Sequence, residues 1–269
     1  MMERPLILVT NDDGVDSKGL WAAVEALAPL GEVLVVAPDR QWSGAGRSMP
    51  RSVTGELTER QRETRDGQTV RVYGVDATPA LCVVHAMMEF VPRQPALLVA
   101  GINFGENVSM EITISGTVGA ALEAAAFGIP ALAISLEMSI PEHLTGGEAK
   151  DYTATQHFTA LFARRMLDRA LPYDVSVINV NVPETATPET PWQLTRLSRQ
   201  RYFLPLEPDR ENGDGRPGYT VLSDPHLVEP DSDVWALRVA RVVSVTPLSL
   251  DMTARADFGA LEEQLRTEW

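Results

Sequence analysis

The chain has 269 residues, 44% of them hydrophobic and 22% charged, with a formal net charge of −14. That composition suits a globular protein with a substantial core, and its sign argues against a nucleic-acid polymer as partner, because phosphate backbones dominate such binding. The single cysteine, Cys82, excludes an intrachain disulfide and a Cys-rich zinc site. No apolar stretch approaches membrane-spanning length, and residues 1–5 lead straight into a short strand-like run, so a cytoplasmic protein with no signal peptide and no membrane partner is expected.

Residues 6–10 form a near-continuous apolar run, as expected of a strand buried on both faces. The run ends abruptly in Asn11-Asp12-Asp13-Gly14. Leu20, Val24, Leu27 and Ala28 then recur at helical spacing within 19–30. A second buried strand is predicted over 32–37, closed by Pro38-Asp39, and the Ser- and Gly-rich segment 41–49 reads as a loop. Residues 53–71 are polar and charged, an excursion with one or two exposed strands. Thr78-Pro79 reads as an N-cap followed by proline at the first helical position, with the helix over 81–90. A third buried strand is predicted at 96–100, followed by a long loop over 101–116. An Ala-rich helix covers 117–128, ended by Gly128 with Pro130 beyond. A strand at 131–135, a helix at 152–170 and a strand at 175–182 complete the alternation. Such alternation predicts an α/β fold, a mostly parallel sheet with helices on both faces. After Pro183 the character changes to prolines, acids and short β-type runs at 192–197, 219–222 and 235–245, and 256–269 ends the chain as a helix. The expected division is a catalytic core over 1–183 and a β-rich extension over 184–269 suited to oligomerisation.

Three loops carry the candidate chemistry, each after a predicted strand. The first holds Asn11, Asp12, Asp13 and Gly14; the second Asp39, Ser43, Gly44, Gly46 and Ser48; the third Gly101, Asn103, Gly105, Asn107, Ser115, Gly116 and Thr117. In a parallel sheet such loops converge on one edge. Two adjacent carboxylates repel unless a proton or cation lies between them. With a hydroxyl and an amide oxygen they would make the all-oxygen shell that hard divalent ions prefer. Asn, Asp and Gly are also ordinary turn residues. Ser115-Gly116-Thr117 precedes the Ala-rich helix, where free N–H groups suit a phosphate, although Ser or Thr there is equally an ordinary N-cap. No P-loop, no G-x-G-x-x-G after the first strand, no nucleophile elbow and no H-E-x-x-H spacing occurs.

Taken in order, Asn11-Asp12-Asp13-Gly14, Ala37-Pro38-Asp39 with Ser43-Gly44, Gly101-Ile102-Asn103-Phe104-Gly105-Glu106-Asn107 and Ser115-Gly116-Thr117-Val118-Gly119 resemble the SurE survival-protein family of metal-dependent 5′/3′-nucleotidases. Ile178-Asn179-Val180-Asn181-Val182-Pro183 and Ser244-Val245-Thr246-Pro247-Leu248 extend the likeness over nearly the whole chain. The resemblance implies a Rossmann-like α/β core and a C-terminal β-arm used in homodimer or homotetramer assembly. It implies one divalent metal ion per subunit (Mg, Mn or similar) on Asp12, Asp13, Ser43 and Asn103, with the two acids catalytic. Asn107, Ser115, Gly116 and Thr117 would surround the phosphate. The implied reaction is hydrolysis of nucleoside monophosphates to nucleoside and phosphate, with short polyphosphate as a further substrate. A metal-dependent glycosyltransferase and a non-catalytic nucleotide-binding sensor are the competing readings. The chain departs from the family pattern at Ala100, Leu81 and Ile114, and at Arg47, which would be free to contact phosphate or base.

Overall fold

The computed structural model describes residues 3–139, 150–211, 213, 215, 217–222 and 224–266. Among them a nine-stranded sheet dominates, built from β1 (Leu6–Thr10), β2 (Glu32–Pro38), β3 (Leu57–Glu63), β4 (Thr69–Val75), β5 (Leu97–Phe104), β6 (Ala131–Leu136), β7 (Val177–Val182), β8 (Trp192–Leu194) and β11 (Val243–Leu248). The order across it is β3-β4-β2-β1-β5-β6-β7-β11-β8. Strands β4, β2, β1, β5, β6 and β7 run parallel, while β3 and β11 are antiparallel to their neighbours β4 and β7. A separate antiparallel hairpin pairs β9 (Phe203–Leu206) with β10 (Gly218–Val221).

Side chains alternate across each strand, and both faces of the sheet are covered. Ile7, Val9, Val33 and Val35 face α1 (Lys18–Leu27) and α4 (Thr153–Asp168) through Leu20, Val24, Phe158 and Phe162. Leu6, Leu8, Leu34 and Val36 face α2 (Pro79–His85) and α3 (Gly116–Ala126) through Cys82, Val83, Val118 and Ala121. Burial on both faces is why β1 and β6 are apolar except at Thr10 and Ser135. The chain leaves β1 toward β2 on one side and later returns with β5 on the other. The sheet therefore reverses its winding between β1 and β5, the place where open α/β sheets collect ligands.

The 53–71 excursion does hold an exposed strand, β3, exposed along its whole length, whose charges guard a sheet edge; its partner β4 lies inside the sheet. Several expectations need correction. The segment 101–116 is not one loop. Strand β5 continues to Phe104 past an irregularity between Ala100 and Asn103, and a 3-10 turn spans Ser109–Ile114. The β-type reading of 235–245 fails over its first half. Residues 233–240 are helical, with the Ser232 hydroxyl accepting from the Trp235 N–H at 3.1 Å. Val234, Ala236 and Leu237 are buried there; Val-rich composition suggested a strand, and packing chose the helix. The main sheet continues past residue 183, since β11 pairs with β7 and β8 with β11. A last helix, α5 (Phe258–Arg266), occupies part of 256–269, the final three residues of which lie outside the described set. Among the described residues no helix is long and apolar enough to cross a membrane.

Candidate active site

At the reversal point lies a cavity of about 420 Å³. Asp12, Ser43, Asn103, Asn107 and Ser115 line it, so all three predicted loops meet there. Each is held by a local device. Asp12 follows β1 directly; its side chain is buried, and its Oδ1 accepts from the Thr117 hydroxyl at 2.5 Å. Asp13 accepts at Oδ2 from the Phe104 N–H at 3.1 Å and at Oδ1 from Gln41 Nε2 at 3.4 Å. The Asn103 Nδ2 donates to the Gly105 carbonyl at 2.7 Å. That bond leaves the Asn103 Oδ1 as the acceptor end of the amide.

The loop bearing Ser43 is tied down on both sides. Trp42 N–H donates to the Asp12 carbonyl at 2.7 Å, and Gly46 N–H donates to the Ile114 carbonyl at 2.9 Å. Arg47 does not line the cavity: its Nε donates to Glu123 Oε2 on α3 at 2.6 Å, so the expected freedom to reach phosphate or base is absent. Backbone approach is close here. A Cβ on Gly119 would lie 2.4 Å from the Gly46 carbonyl oxygen, and one on Gly116 would lie 2.8 Å from Asp12 Oδ2. Gly119→Ala is therefore expected to push the Ser43 loop off α3. It should cost about 1–3 kcal/mol in urea unfolding and lower turnover by more than that stability loss explains, because the folded fraction itself would carry a displaced loop.

Ser115 caps α3, its hydroxyl accepting from the Val118 N–H at 3.1 Å. Thr117 is fully buried and turned to Asp12 instead of the cavity. The N–H groups of Thr117 and Gly116 also favour the charged form of Asp12. The positive end of α3 is thus directed first at a carboxylate. Of the four residues expected around phosphate, Asn107 and Ser115 line the cavity, whereas Gly116 and Thr117 stand behind Asp12.

Asn107 is gripped from the sheet. Its N–H donates to Asn181 Oδ1 at 2.7 Å, and its carbonyl accepts from Asn179 and Asn181 Nδ2, both at 2.9 Å. Its own Nδ2 donates to the Ser135 hydroxyl at 2.9 Å. These supports were given no role from sequence. The signal was present: Asn at alternate positions of an otherwise apolar strand must be satisfied by something, since buried polar groups are.

The electrostatics are those of a site awaiting a positive charge. Burial pushes the Asp12 carboxyl above its usual range, with the Thr117 hydrogen bond opposing. Burial and then repulsion from Asp12 hold the Asp13 carboxyl well above it. Among the described residues no group of three or more His, Cys, Asp or Glu side chains is placed to hold a metal. A cation here would therefore rest on two carboxylates completed by Ser43, Asn103 and water. That donor set is all oxygen, carries two negative charges and fits Mg²⁺ or Mn²⁺ better than zinc.

Part of the cavity lining was not foreseen. Glu106, Glu111 and Ile114 line it together with Arg201, Phe203, Pro205 and Tyr219 of the β9–β10 region. Only long-range packing brings that segment here, and no spacing in the chain reports it.

The family model described as Survival protein SurE matches residues 7–203. A protein of Thermococcus gammatolerans named 5′-nucleotidase SurE is 45% identical over 96% of this chain and 95% of its own length. One of the same name from Thermococcus kodakarensis is 44% identical over 96% and 98%. The crystal structure of the SurE protein from Aquifex aeolicus superposes with a TM-score of 0.71 at 30% identity, covering 96% of this chain and 98% of that one.

Proposed function

The chain belongs to the SurE family, and on that premise we propose that it is a 5′-nucleotidase that hydrolyses nucleoside monophosphates with the aid of one divalent ion per subunit. The single observation that carries the reading is the convergence of Asp12, Ser43, Asn103, Asn107 and Ser115 on one cavity at the reversal of the sheet. Asp12, Asp13, Ser43 and Asn103 would hold the ion. A bound divalent ion supplies charge neutralisation for the phosphate and lowers the pKa of water.

The protein's own contribution is placement. Thr117 and the α3 N-terminus fix Asp12 and favour its charged form, and Phe104 N–H and Gln41 do the same for Asp13, both against the burial that raises these carboxyls. The carboxylate pair provides the acceptor for the proton that the attacking water gives up. Ser115 and Asn107 line the same cavity, as donors toward phosphate oxygens. Preorganised donors of this kind matter most where charge develops in phosphoryl transfer. Activity on 3′-monophosphates and short polyphosphate is part of the same proposal, since only the phosphate end need be shared. Neither glycosyl transfer nor non-catalytic sensing is favoured, because the relatives carry nucleotidase names.

Two further parts of the reading concern the chain as a whole. The terminal helix turns Phe258, Leu261 and Leu265 to solvent, an apolar stripe that supports assembly into a homodimer or homotetramer through residues 184–269. One buried, unpaired cysteine accords with a reducing, cytoplasmic setting.

The test is phosphate release from AMP or GMP. Purified protein with Mn²⁺ or Mg²⁺ should release phosphate, excess EDTA should stop it, and added metal should restore it. Release that persists in EDTA would remove the metal from the reaction, and the absence of release in any metal would remove the hydrolase.

A further inference from the structure

Near the acid pair lies a phenol that the phosphate chemistry does not use. Tyr152 stands at the entrance to α4, where its hydroxyl is buried and has no hydrogen-bond partner among the described residues. We propose that Tyr152 is a positioning residue for the divalent ion, its hydroxyl donating to a water ligand of the ion held beside Asp13. The proposal rests on the metal-dependent reading of the site and adds a residue from an element that supplies none of the four ligands.

The helix does not need this side chain. The residue that opens a helix is usually Ser, Thr, Asp or Asn, whose short side-chain oxygen accepts a free N–H. Tyr152 makes no such bond, and the Thr153 N–H donates to Asp151 Oδ1 at 2.8 Å instead. The Tyr152 ring contributes packing, set against the core layer that holds Phe158 and Phe162. Packing asks for phenylalanine as readily as for tyrosine, so the hydroxyl is what needs a reason. A buried O–H with no acceptor is costly, and native proteins satisfy such groups with protein, water or an ion.

Phe104 joins Tyr152 to the acids. Its N–H donates to Asp13 Oδ2 at 3.1 Å, and its ring lies 6.3 Å from the Tyr152 ring at 42°. Burial, and then the Asp13 charge, hold the Tyr152 phenol above its usual range, so the two groups share one electrostatic neighbourhood. Asp13 spends Oδ2 on Phe104 and Oδ1 on Gln41, and a carboxylate has lone pairs for further partners. Tyr152 does not line the cavity, so it is not placed to touch substrate there. Other buried side-chain atoms without a partner flank the same ligands: Thr10 Oγ1 and Asn11 Oδ1 precede Asp12, and Trp42 Nε1 precedes Ser43. Neutral polar atoms flanking a carboxylate pair suit an ion that keeps several of its own waters, as Mg²⁺ does. Groups that orient an ion's ligands without touching the ion set its affinity.

The experiment uses the full chain, Mn²⁺ as the probe and Tyr152→Phe, which removes one oxygen and keeps the ring. Three quantities are read: the urea midpoint in EDTA, Mn²⁺ affinity by calorimetric titration of the metal-stripped protein, and kcat and KM for AMP at saturating Mn²⁺. The midpoint should match or exceed that of the wild type, because the oxygen lost has no protein partner. Mn²⁺ should bind about tenfold or more weakly, and the KM for AMP should stay within about twofold, since Tyr152 is outside the cavity lining. An Mn²⁺ affinity within about twofold of wild type overturns the proposal and leaves the metal-dependent reading in place. A lower midpoint in EDTA also overturns it, because the hydroxyl would then serve the fold. So does a raised KM with undiminished Mn²⁺ affinity, which would assign the hydroxyl to the substrate. A wild type that binds no Mn²⁺ removes the reading and the proposal together.

Discussion

Asp13→Asn is expected to fold normally and to lose activity on AMP by about a thousandfold or more, the scale of removing a group that stabilises charge in a transition state. The same change should raise the stability of the metal-free protein at pH 8. Burial, and then repulsion from Asp12, hold the Asp13 carboxyl well above its ordinary value of 3.8. A carboxyl raised on folding contributes stability that is fully present below the unfolded value and is lost as pH rises through the folded one. At pH 8 the metal-free wild type bears that cost and the amide does not. Urea midpoints in EDTA should therefore order Asp13→Asn above wild type at pH 8 and converge near pH 3.5. Added Mn²⁺ should raise the wild-type midpoint, because an ion bound only by the native state stabilises it, and should leave the variant where it was. A variant that is both inactive and less stable in EDTA at pH 8 would mean that Asp13 serves packing and not an ion.

The second large effect lies away from the cavity, at Asp233. This buried carboxylate accepts the N–H groups of Ser109 at 2.7 Å, Ser198 at 2.9 Å and Val234 at 2.8 Å. Ser109 has φ 59°, a left-handed conformation uncommon for a residue with a side chain, and its hydroxyl is spent on the carbonyls of Ser198 and Gln200. Asp233 therefore fastens the segment between Asn107 and Ser115 to the chain that leads into the hairpin. Asp233→Ala strands three buried N–H groups and is expected to cost about 3 kcal/mol or more at pH 5. Burial raises the Asp233 carboxyl to about 6, from an ordinary 3.8, with the three N–H bonds opposing. The stability this group contributes is present below 3.8 and is lost as pH rises through about 6, a change on the order of 3 kcal/mol. The deficit of Asp233→Ala should thus narrow between pH 5 and pH 7, where only the wild type carries the ionisation cost. A deficit that widened over that interval would contradict the sign of the argument.

Much of this molecule was legible in its residues, for identifiable reasons. The runs at 6–10, 32–37 and 131–135 are near-continuously apolar, as strands of a parallel sheet covered on both sides are. Thr78-Pro79 and Ser115 stand where helices begin, and the cap geometry is observed at both, with Thr78 accepting from Leu81 N–H and Ser115 from Val118 N–H. Asp12, Ser43 and Asn103 could be brought together because Asp12 and Ser43 follow strands, Asn103 stands near the end of one, and those strands run parallel.

What resisted reading depended on distance along the chain. The role of Thr117 looked like phosphate binding because a helix N-terminus suits an anion; the anion its side chain meets first is Asp12, 105 positions away in sequence. Arg47 looked free because its partner, Glu123, is on another element. Asn179 and Asn181 matter through the backbone of Asn107, and Phe203 and Tyr219 line the cavity from a distant hairpin beside Tyr202, which donates to Glu106. None of these contacts has a local signature. The helical segment at 233–240 shows the reverse failure, where local composition pointed to a strand and burial of Val234 and Leu237 decided otherwise.

The central claim is that Asp12 and Asp13 are half of a divalent-ion shell. Calorimetric titration of Mn²⁺ into the metal-stripped protein tests it without reference to turnover. The wild type should bind one ion per chain, and Asp12→Asn and Asp13→Asn should each bind at least about a hundredfold more weakly, the loss expected when a charged ligand is removed from a site with only two. A wild type that binds no ion, or variants that bind it undiminished, would contradict the account.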